Sequence, residues 1–342
     1  MLDHADYIAR YDKENVLGVV GSLPKQLAHA YDQPSLDNIH GAQSIVLAGM
    51  GGSALAGEFV KTWLGDRLPL PFVIVRDYTL PGFVNDTTLV IVSSYSGNTE
   101  ETLAALVQAQ ARGAKIVIAT DGGKLAEIAK EGGYPLYLIP GGLQPRMAVF
   151  YGVRLIAQLL EGLGLLDGLV DELEATAKWA PKHIVSWKSD VPMIENVAKQ
   201  IAVDVQGHPI VVYAGSSLAF PAMKWKIGFN ENAKNIAFYN YLPELNHNEF
   251  IGWKFPERSG LKVIELRSDL DSPQVAKRFE ITNRLLSHAF APIEVMALGD
   301  SRLEQMVWTI CLGEYTATYL AFLNGIDPFP VELVEELKRE LK

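Results

Sequence analysis

Short apolar runs at 44–50, 71–76, 88–92, 115–120 and 135–139 alternate in the first half of the chain with stretches whose apolar residues recur at helical spacing. A strand that is apolar throughout is covered on both faces, and strands separated by helices pair in parallel. The pattern therefore predicts an α/β fold with a parallel sheet flanked by helices. In such sheets ligands gather beyond the carboxyl ends of the strands, so the turns leaving these runs are the places to look for chemistry.

Two of those turns are built for an anion. Ala48-Gly49-Met50-Gly51-Gly52-Ser53 leaves the first run, and Ser93-Ser94-Tyr95-Ser96-Gly97-Asn98-Thr99-Glu100-Glu101 leaves the third. Glycine-rich turns after strands serve dinucleotides, phosphates and plain tight turns alike. The dinucleotide fingerprint fails here, because Ala54 stands after Ser53 and only Asp77 lies near the place of a ribose-reading acid. In the second turn the spacing predicts Asn98 as helix N-cap with Glu101 closing a capping box, leaving Ser94, Ser96 and Thr99 at the loop and first turn. Outward N–H groups, a positive helix end and hydroxyls suit a phosphate without any lysine.

The 342 residues exceed what one core usually organises, which predicts two domains. A second α/β pattern supports that expectation: runs at 209–214, 261–266 and 293–298, a helix near 193–202, another at 274–288 and a long apolar one at 303–323. Gly215-Ser216-Ser217 repeats the first glycine turn in weaker form. Around 163–174, glycines and polar residues mark the first boundary. The net charge of −10 argues against nucleic acid, yet a helix terminus still attracts a small anion locally. Cys311, the single cysteine, reads as a packed helix position in a chain suited to a reducing compartment. With no basic segment leading an apolar N-terminal stretch and no run long enough to span a bilayer, the expectation is a cytoplasmic protein.

Outside the turns, four residues stand out. Glu231 sits in Asn230-Glu231-Asn232 after an apolar stretch with Trp225, Ile227 and Phe229, which suits a proton-transferring base as well as it suits a solvated glutamate. His247 lies between Glu244 and Glu249 in a polar loop; one histidine without a second at ligand spacing makes a poor metal site but a serviceable acid and base. Arg146 follows Pro145 at the start of a helix, where a cation gains nothing from the dipole. In the terminal helix, Lys338 adjoins a stripe of Leu333, Val334, Leu337 and Leu341 that the spacing places on a buried side, with Arg339 and Lys342 as rivals.

The two turns together resemble a sugar isomerase (SIS) domain. With Pro145-Arg146, Phe229-Asn230-Glu231-Asn232-Ala233-Lys234 and Glu244-Leu245-Asn246-His247-Asn248-Glu249, nearly the whole chain resembles the bifunctional phosphoglucose/phosphomannose isomerase family. The resemblance implies two SIS-type subdomains, an N-terminal one over 41–175 and a C-terminal one over 176–342, preceded by a helical arm over 1–40. It implies a phosphorylated hexose held through Ser53, Ser94, Ser96 and Thr99 and the backbone at Gly51 and Gly52, with Glu231, His247, Arg146 and Lys338 carrying the chemistry. No cofactor and no metal are implied, and no nucleic acid or membrane partner. The implied state is a homodimer whose sites are shared, the histidine coming from the neighbouring subunit. Two other readings stay open: a phosphosugar sensor without catalysis, and an amino-sugar SIS enzyme, which the absence of an N-terminal cysteine disfavours.

Overall fold

A computed structural model describes residues 1–255 and 260–341, so Lys342 falls outside the described residues. The chain divides into two compact units, one of Leu23–Lys178 and one of Met1–Ser22 with Trp179–Lys342. In chain order the helices are α1 (Ala5–Tyr11), α2 (Val16–Ser22), α3 (Gly52–Leu64), α4 (Glu100–Ala111), α5 (Gly123–Gly132), α6 (Val149–Gly162), α7 (Leu169–Ile184), α8 (Val197–Val205), α9 (Ala219–Glu231), α10 (Pro273–Leu285), α11 (Arg302–Leu323) and α12 (Glu332–Glu340). The strands are β1 (Ser44–Ala48), β2 (Phe72–Val75), β3 (Thr88–Ser93), β4 (Lys115–Thr120), β5 (Leu136–Leu138), β6 (Ile210–Ala214), β7 (Ala237–Tyr241), β8 (Lys262–Arg267) and β9 (Ile293–Met296).

The N-terminal unit is a parallel five-stranded sheet in the order β2-β1-β3-β4-β5. All six residues of β3 are buried, as a central strand covered on both faces must be. Val46, Val90, Val92, Ile116 and Ile118 join Leu106, Ala109 and Leu125 from the covering helices in one core. Each such large side chain removed from water contributes on the order of 1.5–3 kcal/mol. On the other face Gly152 of α6 lies so close to α3 that an added Cβ would stand 2.7 Å from the Cβ of Ala56, so the two helices meet through small residues.

The second unit carries a parallel four-stranded sheet in the order β7-β6-β8-β9. Its centre is α11, nearly every residue of which is buried; a helix apolar all round has to be enclosed on all sides. Ser301 and Glu304 form a capping box at its start. Cys311 is buried there and burial pushes its thiol well above the ordinary range, in keeping with a packing role. Among the described residues no helix is long and apolar enough to cross a membrane.

Three expectations are revised. Residues 1–40 do not act as one arm: Met1–Ser22 belongs to the unit of α11, where the Tyr7 hydroxyl donates to the Phe322 carbonyl (2.7 Å) and buried Lys199 reaches Asp3 (2.9 Å), while Leu23 onward belongs to the other unit. The edge strand β7 was not foreseen, because alternation of Ala237, Phe238, Tyr239, Asn240 and Tyr241 buries only the first and yields no apolar run. Most plainly, α12 has no buried side chain: Leu333 is 82% exposed and Leu341 69%, so its apolar stripe is uncovered in the single chain.

Candidate active site

In the N-terminal unit the turns after β1 and β3 are neighbours, because those strands pair in register from Ser44↔Thr88 to Ala48↔Val92. The Ser53 hydroxyl accepts from the Tyr95 amide at 2.9 Å, and the Ser93 hydroxyl donates to the Ser53 carbonyl at 3.3 Å, so one turn braces the other. Ser94 and Thr99 share a hydrogen bond between hydroxyls at 2.8 Å, and the Ser96 hydroxyl accepts from the Asn98 amide at 3.3 Å. Ser94 is buried, Ser53 and Thr99 are half-buried, and Ser96 is exposed, which grades the cluster from its floor to its mouth.

The capping box foreseen at Asn98 and Glu101 does not form. Thr99 is the N-cap of α4 and its side chain makes no cap bond. The Asn98 amide group instead donates to the Ser96 carbonyl (2.9 Å) while its oxygen accepts from the Lys124 amide (3.2 Å), tying the loop to the start of α5. The first-turn amides of α4 therefore keep the orientation that an anion needs without a side chain in the way.

Tyr95 is the residue that sequence reasoning passed over. Its hydroxyl donates to the Pro140 carbonyl at 2.9 Å and accepts from the Leu143 amide at 3.1 Å, and its carbonyl accepts from the Asp121 amide. Burial raises its phenol above the usual range, which keeps it a donor. The ring thus pins the serine loop to the 140–143 segment, which leads into the turn Pro145–Met147. An aromatic inside a Ser/Gly loop is the signal that pointed there.

Arg146 in that turn is 2% exposed. Burying a guanidinium is tolerated only where acceptors or anions surround it. Gly52 shows how close this turn comes to the first loop: a Cβ there would lie 2.5 Å from the Pro145 carbonyl oxygen and 2.9 Å from the Arg146 nitrogen. Only glycine lets the two backbones meet, and Gly51 stands just before it as the N-cap of α3. The N-terminal unit accordingly brings Gly51, Gly52, Ser53, Ser94, Ser96, Thr99 and Arg146 to one end of one sheet.

The remaining candidates lie in the other unit. Glu231, half-buried, is the last residue of α9, where a carboxylate faces the negative end of the helix and gains nothing from it. Behind it the Asn232 amide donates to Glu314 (3.1 Å), which is paired with Lys224 in the core between α9 and α11. His247 ends the short turn Glu244–His247 and is exposed. The carboxylates beside it are engaged: Glu244 accepts from Asn248 at 2.6 Å, and Glu249 from Tyr213 and Asn240. Among the described residues no group of three histidine, cysteine or acidic side chains is set to hold a metal. Lys338 lies on exposed α12 in a surface pair with Glu335 at 2.8 Å, not against the buried stripe foreseen for it.

A parallel α/β unit with two anion-ready turns defines the SIS class of phosphosugar-binding folds, and residues 38–142 match the SIS domain family. Residues 194–341 match the bacterial phospho-glucose isomerase C-terminal SIS domain. A bifunctional phosphoglucose/phosphomannose isomerase of Caldicellulosiruptor bescii is 37% identical over 330 residues, 94% of this chain and 97% of that protein. One from Aquifex aeolicus is 37% identical over 303 residues, 88% of this chain and 91% of its own. Among solved structures a hypothetical protein of Thermus thermophilus shares the fold at a TM-score of 0.68 and 17% identity, over 98% of this chain and 89% of that one. The chain belongs to the bifunctional phosphoglucose/phosphomannose isomerase family.

Proposed function

We propose that this protein interconverts glucose 6-phosphate and mannose 6-phosphate with fructose 6-phosphate, moving a proton between C1 and C2 through a cis-enediolate. The observation that carries the reading is the joined pair of turns in the N-terminal unit, hydroxyl-lined, free of acidic side chains at their centre and backed by a buried arginine. That arrangement suits a phosphate ester, and the activity named for the relatives acts on phosphosugars.

In this reading Ser53, Ser94, Ser96 and Thr99, with the backbone at Gly51 and Gly52, hold the phosphate. Glu231 takes the proton from one carbon and returns it to the other, and Arg146 stabilises the enediolate charge. His247 opens the sugar ring, exchanging a proton with the ring oxygen or the anomeric hydroxyl, and Lys338 assists. Acceptance of both aldoses follows if the open-chain intermediate rotates about C2–C3. A base at the unfavourable end of α9 has no use in a sensor, which supports an enzyme over a binding module.

The reading includes a cytoplasmic homodimer with shared sites. Uncovered apolar side chains support an oligomer: Leu333, Leu337 and Leu341 on α12, and Ile236, Phe238 and Ile251 around β7. The decisive experiment is a coupled assay of fructose 6-phosphate turnover by EDTA-treated protein. Formation of both aldose phosphates is expected, and unchanged fructose 6-phosphate overturns the reading.

A further inference from the structure

Glu249 stands two residues beyond His247, and the isomerase reading gives it no task. Its carboxylate is nonetheless held on both oxygens. The Tyr213 hydroxyl donates to Oε1 at 2.5 Å and Asn240 Nδ2 donates to Oε2 at 2.7 Å. Tyr213 belongs to β6 and Asn240 to β7, and the two residues are directly paired in the sheet, so one carboxylate spans adjacent strands. Trp253 Nε1 donates to the Tyr213 hydroxyl at 2.9 Å, which closes the far end of the segment onto the same phenol. Burial, together with the neighbouring carboxylate, holds the Tyr213 phenol far above its usual range, so it stays a donor.

The near side of His247 is fixed as well. Asn246 Nδ2 donates to the Thr282 hydroxyl at 3.0 Å, and its oxygen accepts from Arg278 at 3.1 Å, both partners lying on α10. Asn248 donates to Glu244 at 2.6 Å, and its oxygen accepts from the Glu249 amide. Residues 246, 248 and 249 are therefore each tied down by their side chains, whereas the His247 ring between them is exposed and makes no hydrogen bond among the described residues. An exposed imidazole on a segment tied on both sides is what a proton-transferring group needs: free ring nitrogens on a backbone held by its neighbours' side chains.

We propose that Glu249, clamped by Tyr213 and Asn240, is a positioning residue that presents His247 to the sugar ring, an inference that rests on the ring-opening role read for His247 above. The substitution that tests it is Glu249→Gln. It keeps shape and volume, but neither orientation of its amide keeps both bonds: NH2 toward Asn240 meets a donor whose oxygen is held by the Tyr241 amide at 2.8 Å, and NH2 toward Tyr213 makes that hydroxyl, already accepting from Trp253, give up the carboxylate it donated to. The exchange Asn240→Asp with Glu249→Gln restores donor against acceptor with the charge moved to the neighbouring strand.

Steady-state turnover of fructose 6-phosphate is measured for the wild type, Glu249→Gln, His247→Ala, their double variant and the exchange variant, each checked for folding by thermal unfolding. Glu249→Gln is expected to lower kcat about 10- to 100-fold with KM within about twofold. It should cost nothing further in the His247→Ala background, and the exchange should recover most of the loss. Multiplying losses, a rise in KM alone, or no recovery in the exchange would each overturn the clamp. If His247→Ala turns over like the wild type, the clamp falls with the histidine's role, while wild-type activity shows separately whether the isomerase reading stands. Should Glu249→Gln not fold, Tyr213→Phe carries the same expectations.

Discussion

The turn after β1 and the turn after β6 occupy the same position in their sheets, each leaving a strand flanked by the next two strands in sequence, and they have opposite contents. After β1, Ser53 is braced by the amide of Tyr95, and the facing loop offers Ser94, Ser96 and Thr99. After β6, the Ser217 hydroxyl donates to Asp271 Oδ1 at 2.5 Å and its amide to the same oxygen at 3.4 Å. A Cβ on Gly215 would collide with Asp271 Oδ2, so this glycine admits a carboxylate much as Gly52 admits the turn of Arg146. The facing loop after β8, Ser268-Asp269-Leu270-Asp271, supplies an anion of its own where the N-terminal loop supplies hydroxyls. One duplicated plan thus gives a hydroxyl-lined turn in one unit and a turn filled by the chain's own carboxylate in the other. In the proposed reading, the first unit holds the phosphate and the second supplies Glu231 and His247.

This division of labour is most exposed at Glu231. Glu231→Gln should lower kcat by about 10² to 10⁴-fold while a non-reactive phosphosugar still competes with its wild-type inhibition constant; a parallel loss of binding would break the separation. The buried Lys224–Glu314 pair, which Asn232 joins beside Glu231, comes next. Glu314→Gln leaves a buried ammonium without its charge partner and should cost about 3–5 kcal/mol in denaturant unfolding, because removing one member of such a pair strands the other. In the turns themselves, Ser94→Ala should raise KM about 10- to 100-fold, since one lost bond to a charged group is worth about 1.5–3 kcal/mol. Ser217→Ala should leave KM where it was. Equal effects from the two turns would mean that the second also binds substrate.

The smallest expected effect concerns pH. Burial raises the Asp271 carboxyl above its unfolded value of 3.8, and its Oδ2 is buried without a hydrogen-bond partner among the described residues. A raised carboxyl favours the protonated folded state, so its stabilising contribution is complete below the unfolded pKa and is lost as pH rises through the folded one. Asp271→Asn should remove that dependence: thermal unfolding compared across mildly acidic to neutral pH should show the variant gaining on the wild type as pH rises. A constant difference would mean that the carboxylate is well solvated and does not fill the turn.

Much of the architecture was legible because its causes are local. The strand runs, the long helix through Cys311 and the two anion-ready turns depend on periodicity, β-branching and glycine, all of which act over a few residues. The element hardest to read was β7, whose exposed edge position leaves no apolar signature. The stripe of α12 was read correctly as amphipathic and wrongly as buried, since spacing defines a face but does not supply what covers it. In the site, the hydroxyl cluster was visible as composition, whereas the contacts of Tyr95, Asp271 and Glu249 were not.

By itself, then, the sequence determined the strand and helix pattern, the glycine turns and the residue types fit for phosphate and proton transfer, because each is decided by neighbours along the chain. Tertiary structure alone decided which of two similar turns takes in a carboxylate, which strands hold Glu249 and which ion pair packs between α9 and α11. Those outcomes depend on partners far apart in sequence: Ser217 and Asp271 are separated by 54 positions, Tyr213 and Glu249 by 36, and Lys224 and Glu314 by 90. A hydrogen bond or buried ion pair of that kind exists only once folding has excluded water and brought both groups within about 3 Å, and no local pattern records the meeting.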